Sequence, residues 1–173
     1  MEKSAKLGKL TLLNIILFGF IGQVAWAVEN NFFNTFLFSF GGTTKDISTM
    51  VAASAVVAVV TTFVMGTLSD KLGRRKVFIC AGYVAWGITV MAFAFISREN
   101  LGKLIGADPS SAAALSATVT TVIVMDCIMT FMGSTSNDSA FNAWITDVTV
   151  PSNRAKTEGL LAILPVLALV IVT

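Results

Sequence analysis

Four apolar blocks dominate this chain: residues 10–40, 47–68, 77–96 and 111–145, with a fifth opening at Gly159 and running to Thr173. About 30 Å of hydrocarbon takes roughly 20 apolar residues of helix to cross. Each of the four blocks meets that length. Only 13% of the residues are charged, against about 25% in a soluble domain, so the chain lacks the polar surface that water demands. The reading is an all-α polytopic transmembrane helix bundle. The last block, 15 residues from Gly159, falls short of a span, and an unfinished helix leaves carbonyls unsatisfied in lipid. The expectation is therefore a chain truncated relative to the working protein.

The polar segments between blocks orient the bundle. Lys3, Lys6 and Lys9 precede the first block, Lys71, Arg74, Arg75 and Lys76 join the second to the third, and Arg154 and Lys156 join the fourth to the fifth. These nine contrast with three on the opposite side, Lys45, Arg98 and Lys103. The positive-inside rule places the N-terminus and both rich loops in the cytoplasm. The first block is too long for the apolar core of a signal peptide and reads as a retained helix.

Several function classes are disfavoured. The chain has no histidine, which removes the usual imidazole base and zinc ligand, so proton chemistry falls to carboxylates. Cys80 and Cys127 both sit inside apolar blocks and read as small buried hydrophobes rather than a disulfide or metal pair. No nucleophile–base pair or metal-ligand cluster is visible, and no cofactor is expected. No basic, aromatic-interleaved polar face suggests nucleic acid.

The sharpest motif is Gly66-Thr67-Leu68-Ser69-Asp70-Lys71-Leu72-Gly73-Arg74-Arg75-Lys76. Gly66 suits close helix approach and Gly73 a tight loop backbone. Asp70 is expected to accept from Arg74 or from a helix N-terminus. In spacing and position this segment resembles the signature loop between the second and third helices of the major facilitator superfamily, with Lys71 where Arg is usual. That resemblance implies the N-terminal six-helix half of a two-half transporter, a loop (Gly66, Asp70, Gly73, Arg74, Arg75) that steadies one state of the cycle, and a C-terminal half of the same protein as partner.

Polar residues inside the blocks are costly in lipid and need a partner or a wet cavity. In the first block Gln23, Asn30 and Asn34 share a helical face, while Glu29 points toward the side of Trp26 and Phe33. In the fourth, Asp126, Thr130, Gly133 and Asn137 form one stripe, with Ser134 and Asp138 beside it. The superfamily resemblance makes these stripes candidate cavity surfaces. The segment from Asp138 through Trp144 to Asp147, followed by Asn153-Arg154, resembles the fourth-helix region of glycoside–pentoside–hexuronide:cation symporters and sucrose-type carriers. That implies a sugar-contacting Asp138 and a loop pair of Asp147 with Arg154. The second block has no carboxylate where those symporters place their sodium-site acids, which leaves Glu29 as a proton-binding substitute.

The expected activity is secondary transport in the plasma membrane: a sugar or glycoside carried with protons or cations by alternating access. The alternatives are another solute, such as a drug or organic ion, or a non-transporting scaffold. An enzyme is the least expected class.

Overall fold

The structure, a computed structural model, describes residues 7–173. Lys3 and Lys6, two of the charges used above for orientation, lie outside the described residues. Five helices are long and apolar enough to cross a membrane: Lys9–Ser39, Thr44–Leu72, Arg75–Phe95, Ala112–Val148 and Pro151–Val172. Large apolar side chains such as Phe63, Phe95 and Val170 are more than two-thirds exposed, which is tolerable only against lipid. The chain is a multi-pass membrane protein.

Local chemistry explains the helix ends. The first helix, α1 (Lys9–Ser39), closes at Gly41 with φ 93°; the Gly42 and Gly41 amides return to the carbonyls of Leu37 (3.1 Å) and Phe38 (2.9 Å), a Schellman closure. α2 (Thr44–Leu72) begins three residues before the apolar run, because Thr43 and Asp46 cap each other reciprocally: Thr43 N–H donates to Asp46 Oδ2 at 2.8 Å and Asp46 N–H to Thr43 Oγ1 at 3.3 Å. It ends at Gly73, left-handed at φ 59°, as the motif requires. α3 (Arg75–Ala92) finishes in a 3-10 turn, Phe93–Phe95.

Two elements depart from expectation. The polar stretch after the third block contains a short helix, α4 (Arg98–Ile105), capped by Ser97 and stopped by Gly106. The fifth span begins at Pro151 rather than Gly159. Pro at the first helical turn loses nothing by lacking an N–H, and Asn153 Oδ1 accepts from the Val150 amide at 2.9 Å. The polar residues 151–158 are therefore its first two turns. It runs as α7 (Pro151–Leu161) and α8 (Leu164–Val172), broken where the Pro165 ring would meet the Leu161 carbonyl.

The fourth span changes geometry midway. α5 (Ala112–Gly133) passes into eight residues of π-helix, Ser134–Phe141, before α6 (Asn142–Val148). Runs of i→i+5 bonding are rare and concentrate at functional sites. Serine and threonine hydroxyls brace this run: Thr135 donates to the Phe131 carbonyl (2.7 Å), Ser136 to Met132 (2.9 Å) and Ser139 to Thr135 (2.7 Å). The α3 backbone reaches it through Gly82, where a Cβ would stand 2.6 Å from Ser136 Cβ and 3.2 Å from its Cα.

The fourth span is the hub, packing on α2 and α3, while α1 packs mainly on α8. Two apolar cores result. One gathers Phe33, Leu37, Met50, Trp86, Phe93 and Val122; the other, toward the basic loops, gathers Ile15, Ile79, Phe141 and Ile145. Gln23 and Glu29 fall between these cores along α1, Tyr83 along α3, and Thr130 to Ser139 along the fourth span.

Candidate functional site

The first polar cluster joins α1, α2 and α5. Glu29 reaches the fourth span: Thr130 Oγ1 donates to its Oε1 at 3.4 Å, and its Oε2 is buried with no hydrogen-bond partner among the described residues. Asp126 is 2% exposed, within reach of the Ser54 hydroxyl and close enough to Glu29 for the two charges to repel. No cation pairs with either carboxylate among the described residues. An ionised carboxylate held this way lacks compensation for its lost hydration, so the cluster is suited to hold a proton or a small cation.

The second cluster lies nearer the basic loops and is built on the π segment. Gly22 of α1 makes room for it: a Cβ there would stand 2.3 Å from Asn137 Oδ1 and 2.7 Å from the Tyr83 hydroxyl. Tyr83 stands 2.8 Å from the Phe18 carbonyl and 2.9 Å from Asn137 Oδ1 and donates its proton to one or the other. Asn137 Nδ2 donates to Asp138 Oδ1 at 3.0 Å, and Ser134 Oγ to Asp138 Oδ2 at 2.9 Å. Beside them is a cavity of about 140 Å³, lined by Gln23, Asn137, Asp138, Asn142 and Glu158, with Gly19, Phe141, Leu161 and Leu164 completing its wall. Two carboxylates and three amides around one small space offer donors and acceptors at several angles. Among the described residues no basic side chain lines it.

At the loop end a third cluster closes on Arg75. Its guanidinium bonds Asp70 and Asp147 together and donates to Ser69 Oγ at 3.2 Å. The motif aspartate is thus held by Arg75, not by Arg74, which is exposed at the N-cap of α3. Asp147 and Arg154 do not pair with each other. Arg154 turns back on the end of α6, donating to the Thr146 carbonyl (2.9 Å) and Thr149 Oγ1 (3.1 Å), because Pro151 starts a new helix that carries it there.

Sequence periodicity placed other residues less well. Asn30 is exposed and folds its amide onto the Trp26 carbonyl at 2.9 Å, and neither it nor Asn34 lines the cavity that Gln23 enters. Glu29, placed off that face, is the α1 carboxylate that meets α5. Gly66 is not needed for close packing here, since a Cβ would sit 3.7 Å from Ser139. Tyr83, Asn142 and Glu158 were not singled out. Tyr83 is the one tyrosine of the chain, in mid-helix, a signal in itself. Glu158 is reached only when Pro151 is read as a helix start.

A family model described as Major Facilitator Superfamily matches residues 13–172. No curated protein and no solved structure matches the chain.

Proposed function

The chain belongs to the major facilitator superfamily, and from that premise we propose that it carries a small polyhydroxylated solute, a sugar or glycoside, across the membrane together with a proton or cation. As a superfamily member it is a membrane transporter. The cavity around Asp138 is the observation that carries the solute class. Neighbouring carboxylates and amides that can each take a hydroxyl, beside the Phe141 ring, are the chemistry sugars bind, and leaving a polar site of this kind unpaired is costly enough to reject apolar solutes. Glu29 and Asp126 are the coupling site, because an acid there without a cation partner favours loading with a proton or a cation. In this reading the bundle rocks against a second half of the same protein around the midplane site, in the plasma membrane with its N-terminus in the cytoplasm. The Arg75 bridge between Asp70 and Asp147 ties the loop end of α2 and α3 to the end of α6 in one conformation.

A second reading has specific support: two carboxylates with no basic side chain among the described lining residues also suit an organic cation. Uptake by cells carrying the full-length protein separates the two. Asp138→Asn removes a charge-assisted hydrogen bond of about 1.5–3 kcal/mol, so sugar affinity should weaken about 10- to 100-fold. Unchanged sugar accumulation would end the role of Asp138. Competition by organic amines but by no sugar would move the solute class to the second reading.

A further inference from the structure

We propose that Trp86 is a positioning residue for Glu29: its indole N–H holds the carboxylate while that group is charged and releases it when a proton is taken up, so the ion coupled at this site is a proton rather than a metal cation. This rests on the reading of Glu29 as the coupling acid.

Among the described residues three buried side-chain atoms have no hydrogen-bond partner: Glu29 Oε2, Trp86 Nε1 and Arg98 Nε. The first two are an acceptor and a donor, and both groups lean on one stripe of α5. Glu29 reaches Thr130. One turn along, the N–H edge of Trp86 lies on Gly133, where a Cβ would stand 2.9 Å from both Cε2 and Cζ2. Trp26, three residues before Glu29 on α1, meets the same point, its Cζ2 3.1 Å away. The unused donor is thus about one turn, about 5 Å, from the Thr130 contact. A helical side chain leans toward the N-terminus of its helix, which on α1 is the direction of Trp26 and Trp86. Little holds the carboxylate back, since its bond from Thr130 is long at 3.4 Å. Trp86 is 2% exposed, so its donor is already enclosed by the spans described and needs no further segment to cover it.

Joined, the two orphans make a charge-assisted hydrogen bond, the compensation that a buried carboxylate otherwise lacks. The partner also selects the ion. Hard cations take oxygen ligands on every side, and an indole N–H has no lone pair to give. A proton meets no such conflict. Loading forms one O–H bond on Glu29, the indole keeps its own proton, and only the hydrogen bond between them breaks. The Trp26 ring, its centre 4.9 Å from that of Trp86, is then the weak acceptor left to the N–H.

The full-length protein, labelled with nitrogen-15 at its indoles and held in lipid nanodiscs, reads the bond. The Trp86 resonance is the one lost in Trp86→Phe. As the pH rises its N–H proton should move downfield, and Glu29→Gln should abolish the movement. Asp126 and Asp138 also face Glu29, and Tyr83 packs on Trp86; Asp126→Asn, Asp138→Asn and Tyr83→Phe should each leave a movement in place. No movement in the wild type, or one that survives Glu29→Gln, overturns the bond in favour of an N–H resting on the Trp26 ring. In uptake, Trp86→Phe should cut concentrative transport about ten-fold and leave counterflow intact. A tryptophan analogue at position 86 with sulfur in place of the N–H should do the same with the ring shape kept; full uptake with it overturns the positioning role. Wild-type accumulation driven by a sodium gradient alone overturns the proton. The resonance needs no transport. If Glu29→Gln keeps concentrative uptake while the wild-type resonance still depends on Glu29, the coupling reading and the proton fail and the bond stands.

Discussion

The two places where the fourth span meets an acid of another helix treat the paired acids in opposite ways. At the loop end Asp70 and Asp147, their side chains 60% and 51% exposed, share one arginine. Inside the bundle Glu29 accepts from the Thr130 hydroxyl and Asp126 lies within reach of the Ser54 hydroxyl, and among the described residues one Glu29 oxygen has no partner. Stability alone predicts the reverse. An exposed carboxylate is hydrated without help, while a buried one depends on its neighbours. Among the described residues charge compensation is missing where it would stabilise the bundle most, which is the arrangement expected of the proposed coupling site.

The contrast can be broken first at its buried side, where the largest effect is expected. Glu29→Gln should drop concentrative uptake to background while leaving solute exchange across the membrane intact, as counterflow would show. Loss of both would mean that Glu29 supports the fold rather than the coupling. Next, the glycines distinguish the packed belt from the open helix surface. Gly22→Ala pushes into Asn137 and Tyr83 and should cost about 1–3 kcal/mol, seen as a lower thermal midpoint in detergent. Gly66→Ala meets only ordinary contact distance and should be neutral or stabilising by up to about 1 kcal/mol.

At the exposed side the effects shrink. Arg75→Gln should cost about 0.5–1 kcal/mol, and the difference from wild type should narrow in 1 M salt, where screening acts over about 3 Å. The smallest change belongs to Glu99, whose hydrogen bond from Lys103 at 2.7 Å holds its carboxyl below the ordinary 4.5. That contribution is present above the ordinary value and lost as the pH falls through the lowered one. At neutral pH Glu99→Gln should leave the thermal midpoint unchanged within error, because the group is fully exposed. In acid the two proteins should be indistinguishable.

The fold class was legible because length and apolarity alone decide what spans lipid. The left-handed Gly73 was legible because a tight turn needs such a residue. Helix starts were less so. Thr43 with Asp46 and Val150-Pro151 with Asn153 are polar caps that extend a helix beyond its apolar run, so hydropathy drew both helices short. Site geometry was hardest to read. The 100° rule used for the stripes on the fourth span holds through Thr130 but not past Gly133, where the bonding pattern changes. Arg75 rather than Arg74 on Asp70 was likewise out of reach, because the choice depends on where α3 begins, and a boundary shift of one residue exchanges the two.

The π segment has a mechanical consequence. Eight residues wound with i→i+5 bonds hold slack relative to i→i+4 winding, and one residue of slack amounts to about 100° of turn in an α-helix. Taking it up would act like a screw thread, rotating Asn142–Val148 against Ala112–Gly133 with little change in length. Asp138 lies within the thread and Asp147 beyond it, so such a turn would move Asp147 relative to Arg75.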